Sequence, residues 1–158
     1  MAVKPIPEGY PQVSPYLIVP DVPRLIDFLT QAFGATEIQR HEDSAGAVAH
    51  AEVRIGDSVI MMGGTTDQWP PFPGAVYVYV EDVDAAYRRA LETGATSLNE
   101  PADQFYGDRC AGVKDTNGNM WFIGTRIEDL SKEEMARRNK VEMEKRAQAA
   151  AKAAPPAT

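Results

Sequence analysis

The sequence is poor in cysteine, in positive charge and in long apolar runs, and each shortage excludes something. Cys110 is the sole cysteine of 158 residues. That rules out an internal disulfide framework and any multi-cysteine metal site, and it suits a reducing compartment, so a cytoplasmic location is expected. No histidine adjoins Cys110 in the chain, so it reads as a small inert residue and not as an activated thiol. No apolar run approaches the roughly 20 residues a bilayer crossing needs. Residues 1–20 lack a basic segment followed by an apolar one, so neither export nor membrane insertion is expected. Lys and Arg number 16 against 23 Asp and Glu, a net charge of −7. A negative surface repels phosphate backbones and anionic lipid, so nucleic acid and membrane are not expected partners. Nucleophile elbows, phosphate loops, dinucleotide fingerprints and Cys–His pairs are also missing.

What is present is an ordinary globular composition, 44% hydrophobic and 25% charged, over about one domain's length. Residues up to Pro11 read as an extended leader rich in Pro and Gly. Val13 to Val19 carries a strand signal. Asp21 then caps a helix with Pro23 in its first turn, and Leu25, Ile26, Phe28, Leu29, Ala32 and Phe33 recur at helical spacing up to Gly34. Val76 to Val80 is again a strand, Asp82 caps a helix bearing Val83, Ala86, Tyr87, Ala90 and Leu91, and Gly94 stops it. Val19-Pro20-Asp21-Val22 matches Val80-Glu81-Asp82-Val83, and Gly34-Ala35-Thr36 matches Gly94-Ala95-Thr96. Such a repeat implies two units, each unable to bury its apolar face alone.

Each unit continues in strands. Val48–Ile55, a Gly56-Asp57 turn and Ser58–Met62 read as one hairpin. Asp108–Lys114, a turn through Asn117-Gly118 and Asn119–Gly124 read as the other. The expected domain spans residues 1–130, with a first module over about 12–64 and a second over about 73–128, each β-α-β-β-β. From Ser131 a capping box opens a helix rich in Ala, Glu, Lys and Arg, which frays into an Ala-Pro end by 158.

Several phrases then resemble one family. They are Pro15-Tyr16-Leu17, His50-Ala51-Glu52-Val53-Arg54-Ile55-Gly56-Asp57-Ser58, Tyr106-Gly107-Asp108-Arg109, Asp115-Thr116-Asn117-Gly118-Asn119-Met120-Trp121 and Ile127-Glu128-Asp129-Leu130-Ser131. With the paired modules, they resemble the vicinal oxygen chelate superfamily of glyoxalases, bleomycin-resistance proteins, fosfomycin-resistance enzymes and dioxygenases, and its PhnB-like subgroup in particular. The resemblance covers roughly residues 12–131. It implies an α+β fold in which two tandem βαβββ modules curl into glyoxalase-like half-barrels, and it implies a homodimer. It also implies a cavity where family enzymes hold a divalent metal with four side chains. Carried over singly, those four positions fall on Ser14, Met61, Ala75 and Phe122, which are not a ligand set for such a cation. The expectation is therefore a protein without metal or other cofactor.

Two groups of residues remain as site candidates. His50, Glu52 and Arg54 share one face of a period-two strand, with Ala51, Val53 and Ile55 on the other. His50 and Glu52 are thus candidate acid/base residues, and Arg109, in the Tyr106-Gly107-Asp108-Arg109 phrase, is a third catalytic candidate that could also fork onto a ligand carboxylate or phosphate. Tyr16, Met61, Trp69, Tyr77, Tyr79, Phe105, Tyr106 and Phe122 are expected to line a pocket for a flat organic molecule. The leading functional expectation is binding or sequestration of a small planar compound. The alternatives are a lyase or isomerase using a shifted metal site or His50 with Glu52, and a non-catalytic interaction module built on the C-terminal helix. His41, beside Glu42, Asp43 and Ser44, reads as a solvated residue.

Overall fold

The computed structural model describes residues 3–153. Strand β1 (Tyr16–Val19) leads into helix α1 (Val22–Phe33) and then β2 (Thr36–Glu42), β3 (Val48–Ile55) and β4 (Ser58–Gly64). The second unit repeats this order as β5 (Ala75–Tyr79), α2 (Val83–Glu92), β6 (Thr96–Asp103), β7 (Asp108–Lys114) and β8 (Met120–Arg126). Helix α3 (Lys132–Ala153) follows. The two sheets have one topology, β1-β4-β3-β2 and β5-β8-β7-β6, with the first pair of each parallel and the rest antiparallel. The duplicated sequence is therefore a duplicated α+β fold of tandem βαβββ modules.

The caps explain the helix bounds. The Asp21 carboxylate accepts the Arg24 amide at 3.0 Å and that of Asp82 accepts the Ala85 amide at 2.9 Å. Gly34 ends α1 in the left-handed region at φ 67°, and its amide donates to the Thr30 carbonyl at 3.0 Å. Strand β1 begins at Tyr16 instead of Val13. Pro15 has no N–H to donate, although its carbonyl accepts the Met61 amide at 2.9 Å, and Val13 stays exposed. Strands β4 and β8 run two residues past their expected ends because each is held on both sides by neighbouring strands.

Leu17, Val19, Ala51, Val53 and Met62 of the first sheet and Val78, Ala111, Val113, Trp121 and Ile123 of the second share one continuous core with both helices. Phe28 and Phe33 of α1 set their rings 5.6 and 5.7 Å from the Trp121 ring of β8, so aromatic packing joins the halves. The β7–β8 turn adds a polar lock. The buried Asp115 carboxylate accepts the Asn117 and Asn119 amides, Asn119 Nδ2 and Trp121 Nε1, all at 2.8–3.0 Å. Asn117 Oδ1 accepts the Asp21 amide and its Nδ2 donates to the Asp21 carbonyl, both at 2.9 Å. The turn of one module thus grips the helix start of the other.

Helix α3 starts with the Glu134 amide donating to Ser131 Oγ at 3.1 Å. Arg138 ties its base to Glu128 and to the Phe105 carbonyl, yet none of its residues is buried. Hydrogen bonds from Arg137 and Arg138 hold the Glu134 carboxyl down at about 2. The Ala-Pro end, residues 154–158, lies outside the described residues. Among these, no helix is long and apolar enough to cross a membrane.

Candidate functional site

The helices cover one face of each sheet and leave the other free for chemistry. On the free face of the first sheet, the strand register lines up Tyr16, Met61, Glu52 and Gln39 in one row and Ile18, Gly63, His50 and His41 in the next. Tyr16 crosses between the rows. Its hydroxyl lies 3.0 Å from His50 Nδ1, and His50 Nε2 lies 3.0 Å from Glu52 Oε1. Gly63 makes this crossing possible, because a Cβ there would stand 2.8 Å from the Tyr16 oxygen. The leader closes over the row: the Tyr10 hydroxyl donates to Glu52 Oε2, and Arg54 Nη2 donates to the Gly9 carbonyl at 2.9 Å. Glu52 is only 4% exposed as a result. Burial pushes its carboxyl up, but hydrogen bonds from Tyr10, His50 and Gln39 outweigh that and hold it below the usual range. The His41 and His50 rings stack with centroids 6.1 Å apart, so His41, exposed on β2 as expected, lies beside this group.

The second sheet repeats the device with other chemistry. Tyr77 crosses Gly124, where a Cβ would collide with the tyrosine hydroxyl. That oxygen reaches Cys110 Sγ at 2.7 Å and Asp108 Oδ2 at 3.2 Å. Tyr79 donates to the same Asp108 oxygen at 2.8 Å, and the Tyr106 hydroxyl lies 3.4 Å from Cys110 Sγ. Burial, then the Cys110 contact, pushes the Tyr77 phenol up and that of Tyr106 up to about 12. The hydrogen bond to Asp108 raises Tyr79 as well. Three of these tyrosines therefore stay neutral donors at ordinary pH. Tyr77, Tyr79, Met120 and Phe122 are all partly exposed on this face, 37–64%, and the two tyrosine rings lie 5.0 Å apart.

The structure separates the expected site residues. Tyr16, Met61, His50 and Glu52 come together on the first sheet, and Tyr77, Tyr79, Tyr106 and Phe122 on the second. Trp69 stands exposed in the connector, where its amide closes a turn on Thr66 Oγ1, and Phe105 packs edge-on against Tyr106. Arg109 does not join the site. Strand alternation turns it away from Asp108 and Cys110 toward α2, where it forks onto Asp84 at 2.7 and 3.0 Å and reaches Asp103 at 2.9 Å. Both carboxylates raise its already high pKa, so it is a clasp between α2, β6 and β7 with its donors engaged. The sequence reading missed Tyr10, Gln39, Asp108 and Cys110. One signal was available for the crossings: Tyr16 precedes Gly63, and Tyr77 precedes Gly124, by the same 47 residues.

The carried-over metal positions bring Met61 and Phe122 onto the two free faces, with Ala75 at the start of β5 and Ser14 just before β1. Thioether, phenyl and methyl groups do not fit a divalent cation that prefers oxygen or imidazole, and the one neutral hydroxyl of Ser14 is not a ligand set. Among the described residues, no three His, Cys, Asp or Glu side chains converge as a metal site. A cavity of about 860 Å3 opens instead beside the free edge of β5. Phe33, Ile55, Ile60, Val78 and Arg89 line it, and Tyr77 and Tyr79 belong both to it and to the free face.

Residues 10–123 match the Glyoxalase/Bleomycin resistance protein/Dioxygenase superfamily. An uncharacterised protein of Mycobacterium bovis is 35% identical over 136 residues, 79% of this chain and 90% of its own. The chain belongs to that superfamily. The same fold occurs in TioX from Micromonospora sp. ML1, 24% identical with a TM-score of 0.64 over 74% of this chain and 99% of that one. It also occurs in the fosfomycin resistance protein FosX from Mesorhizobium loti, 18% identical with a TM-score of 0.55 over 73% of this chain and 91% of that one.

Proposed function

We propose that the protein is a PhnB-like member of the superfamily that binds and sequesters a small planar organic molecule, without a metal, as a cytoplasmic homodimer. One observation carries the reading: Tyr77 and Tyr79, whose rings are partly exposed, line a cavity of about 860 Å3 in which the apolar Phe33, Ile55, Ile60 and Val78 stand beside the charged Asp57, Glu81, Asp82 and Arg89. That volume suits a drug-sized ligand. Both phenols donate to one carboxylate, which fixes the rings as a stacking platform before any ligand arrives. Asp108, the net charge of −7 and the ring faces together favour a planar cation. The side chains at the four carried-over positions support binding without a metal. Met120 and Phe122, exposed on the second sheet outside the cavity lining, support a second copy as their cover.

A thermal-shift screen of planar aromatic cations tests the reading. A ligand at 100 times its dissociation constant stabilises by about 2.7 kcal/mol, and Tyr79→Ala removes that gain. The reading fails if no planar compound stabilises the protein, if Tyr79→Ala binds unchanged, or if the purified protein carries one equivalent of divalent metal.

A further inference from the structure

The first sheet holds a chain of proton donors and acceptors that the binding reading leaves unused. Glu52 is buried and ionised, so it takes the Nε2–H of His50. Nδ1 is thereby left bare, and it faces the Tyr16 hydroxyl at 3.0 Å. Tyr16 is 51% exposed, so the far end of this chain meets solvent while its near end is sealed by the leader. A base oriented by a carboxylate and hydrogen-bonded to an accessible hydroxyl is the arrangement that general-base chemistry requires.

We propose that Tyr16, His50 and Glu52 form a proton relay that removes a proton from a small planar carbon acid lying against the first sheet. The Tyr16 proton passes to His50 Nδ1, giving an imidazolium that the Glu52 carboxylate stabilises. The Tyr16 phenolate then takes the proton from carbon, and the electron pair of the broken C–H bond enters the substrate's π system. Tyr16 touches the substrate and His50 holds the proton. Glu52 is a positioning residue that acts only through His50. Met61 and Ile18 flank Tyr16 in the register and give the substrate an apolar bed. The charged and titratable groups around His50 are Tyr10 from the leader, Tyr16 from β1, His41 from β2, and Glu52 and Arg54 from β3.

The probe is 5-nitrobenzisoxazole, a planar carbon acid. Loss of its C–H proton breaks the N–O bond and releases a coloured cyanonitrophenolate, with no other reactant. The full-length protein should accelerate this opening at least tenfold over buffer of matched pH. Tyr16→Phe keeps the ring and loses only the hydroxyl, and it should lower the rate tenfold or more, as should His50→Ala. Glu52→Gln should lower kcat with KM unchanged. A merely structural glutamate would not give that signature. A wild-type rate equal to buffer overturns the proposal, and so does full activity in Tyr16→Phe or in His50→Ala. Nitrogen NMR of His50 gives a readout independent of turnover: Nδ1 bare and Nε2 protonated supports the relay, and the opposite tautomer overturns it.

Discussion

Two glycines decide where two tyrosines go. A methyl group at Gly124 would overlap the Tyr77 hydroxyl, and one at Gly63 would crowd Tyr16. The obstructing atom is in each case the tip of a side chain that can swing outward. Gly124→Ala is therefore expected to cost little stability, about 1 kcal/mol. It should expel the Tyr77 ring from Cys110, so the thiol should react faster with a disulfide reagent, measured by absorbance of the released thiolate. Asp115 is the opposite case. Four donors converge on a carboxylate with no room to move. Asp115→Ala leaves Trp121 Nε1 and Asn119 Nδ2 buried without partners and should cost about 3 kcal/mol in urea unfolding. Glu52 sets a pH dependence. Its folded pKa lies below the unfolded value, so its contribution is complete above the unfolded pKa, near about 4.3, and is lost as pH falls through the folded value. Acid should therefore release the leader, and Glu52→Gln should flatten the acid limb of the stability curve measured by circular dichroism.

At the scale of elements, local chemistry was legible and long-range register was not. Asp21, Asp82 and Ser131 announce helix starts because capping is a matter of three or four neighbouring residues, and Gly34 marks an end for the same reason. The Asn117-Gly118 turn was equally readable. The face of β3 that carries His50 and Glu52 followed from alternation alone. Nothing local reveals that Tyr10, 42 residues earlier, buries Glu52, or that α2 offers Asp84 to Arg109. Those facts come from how sheets and leader meet in space. The role of Asp115 was hidden likewise, since a turn aspartate and a buried anchor look alike in sequence. Helix α3 is held mainly by Arg138 at its base and buries no residue. Deleting residues 132–158 should leave the thermal midpoint within a few degrees, checked by circular dichroism. The same deletion, followed by size-exclusion chromatography, should leave the oligomer unchanged.

At the scale of the whole molecule, duplication has kept the scaffold and let the chemistry of the two sheets diverge. Both sheets pass a tyrosine over a glycine, but one arrives at an imidazole and a carboxylate and the other at a thiol and a carboxylate. Joining the halves falls to the Asn117–Asp21 contacts, to the Arg89 and Arg24 hydrogen bonds that link the ends of α1 and α2, and to the Phe28, Phe33 and Trp121 rings. Trp121 is fully buried there while Trp69 stands in solvent. The protein thus carries its own optical gauge of the joint between its halves. Acrylamide should quench the red-emitting Trp69 first and leave a blue-emitting signal from the joint. Any event that pries the halves apart should shift that remaining emission toward red before the backbone signal changes.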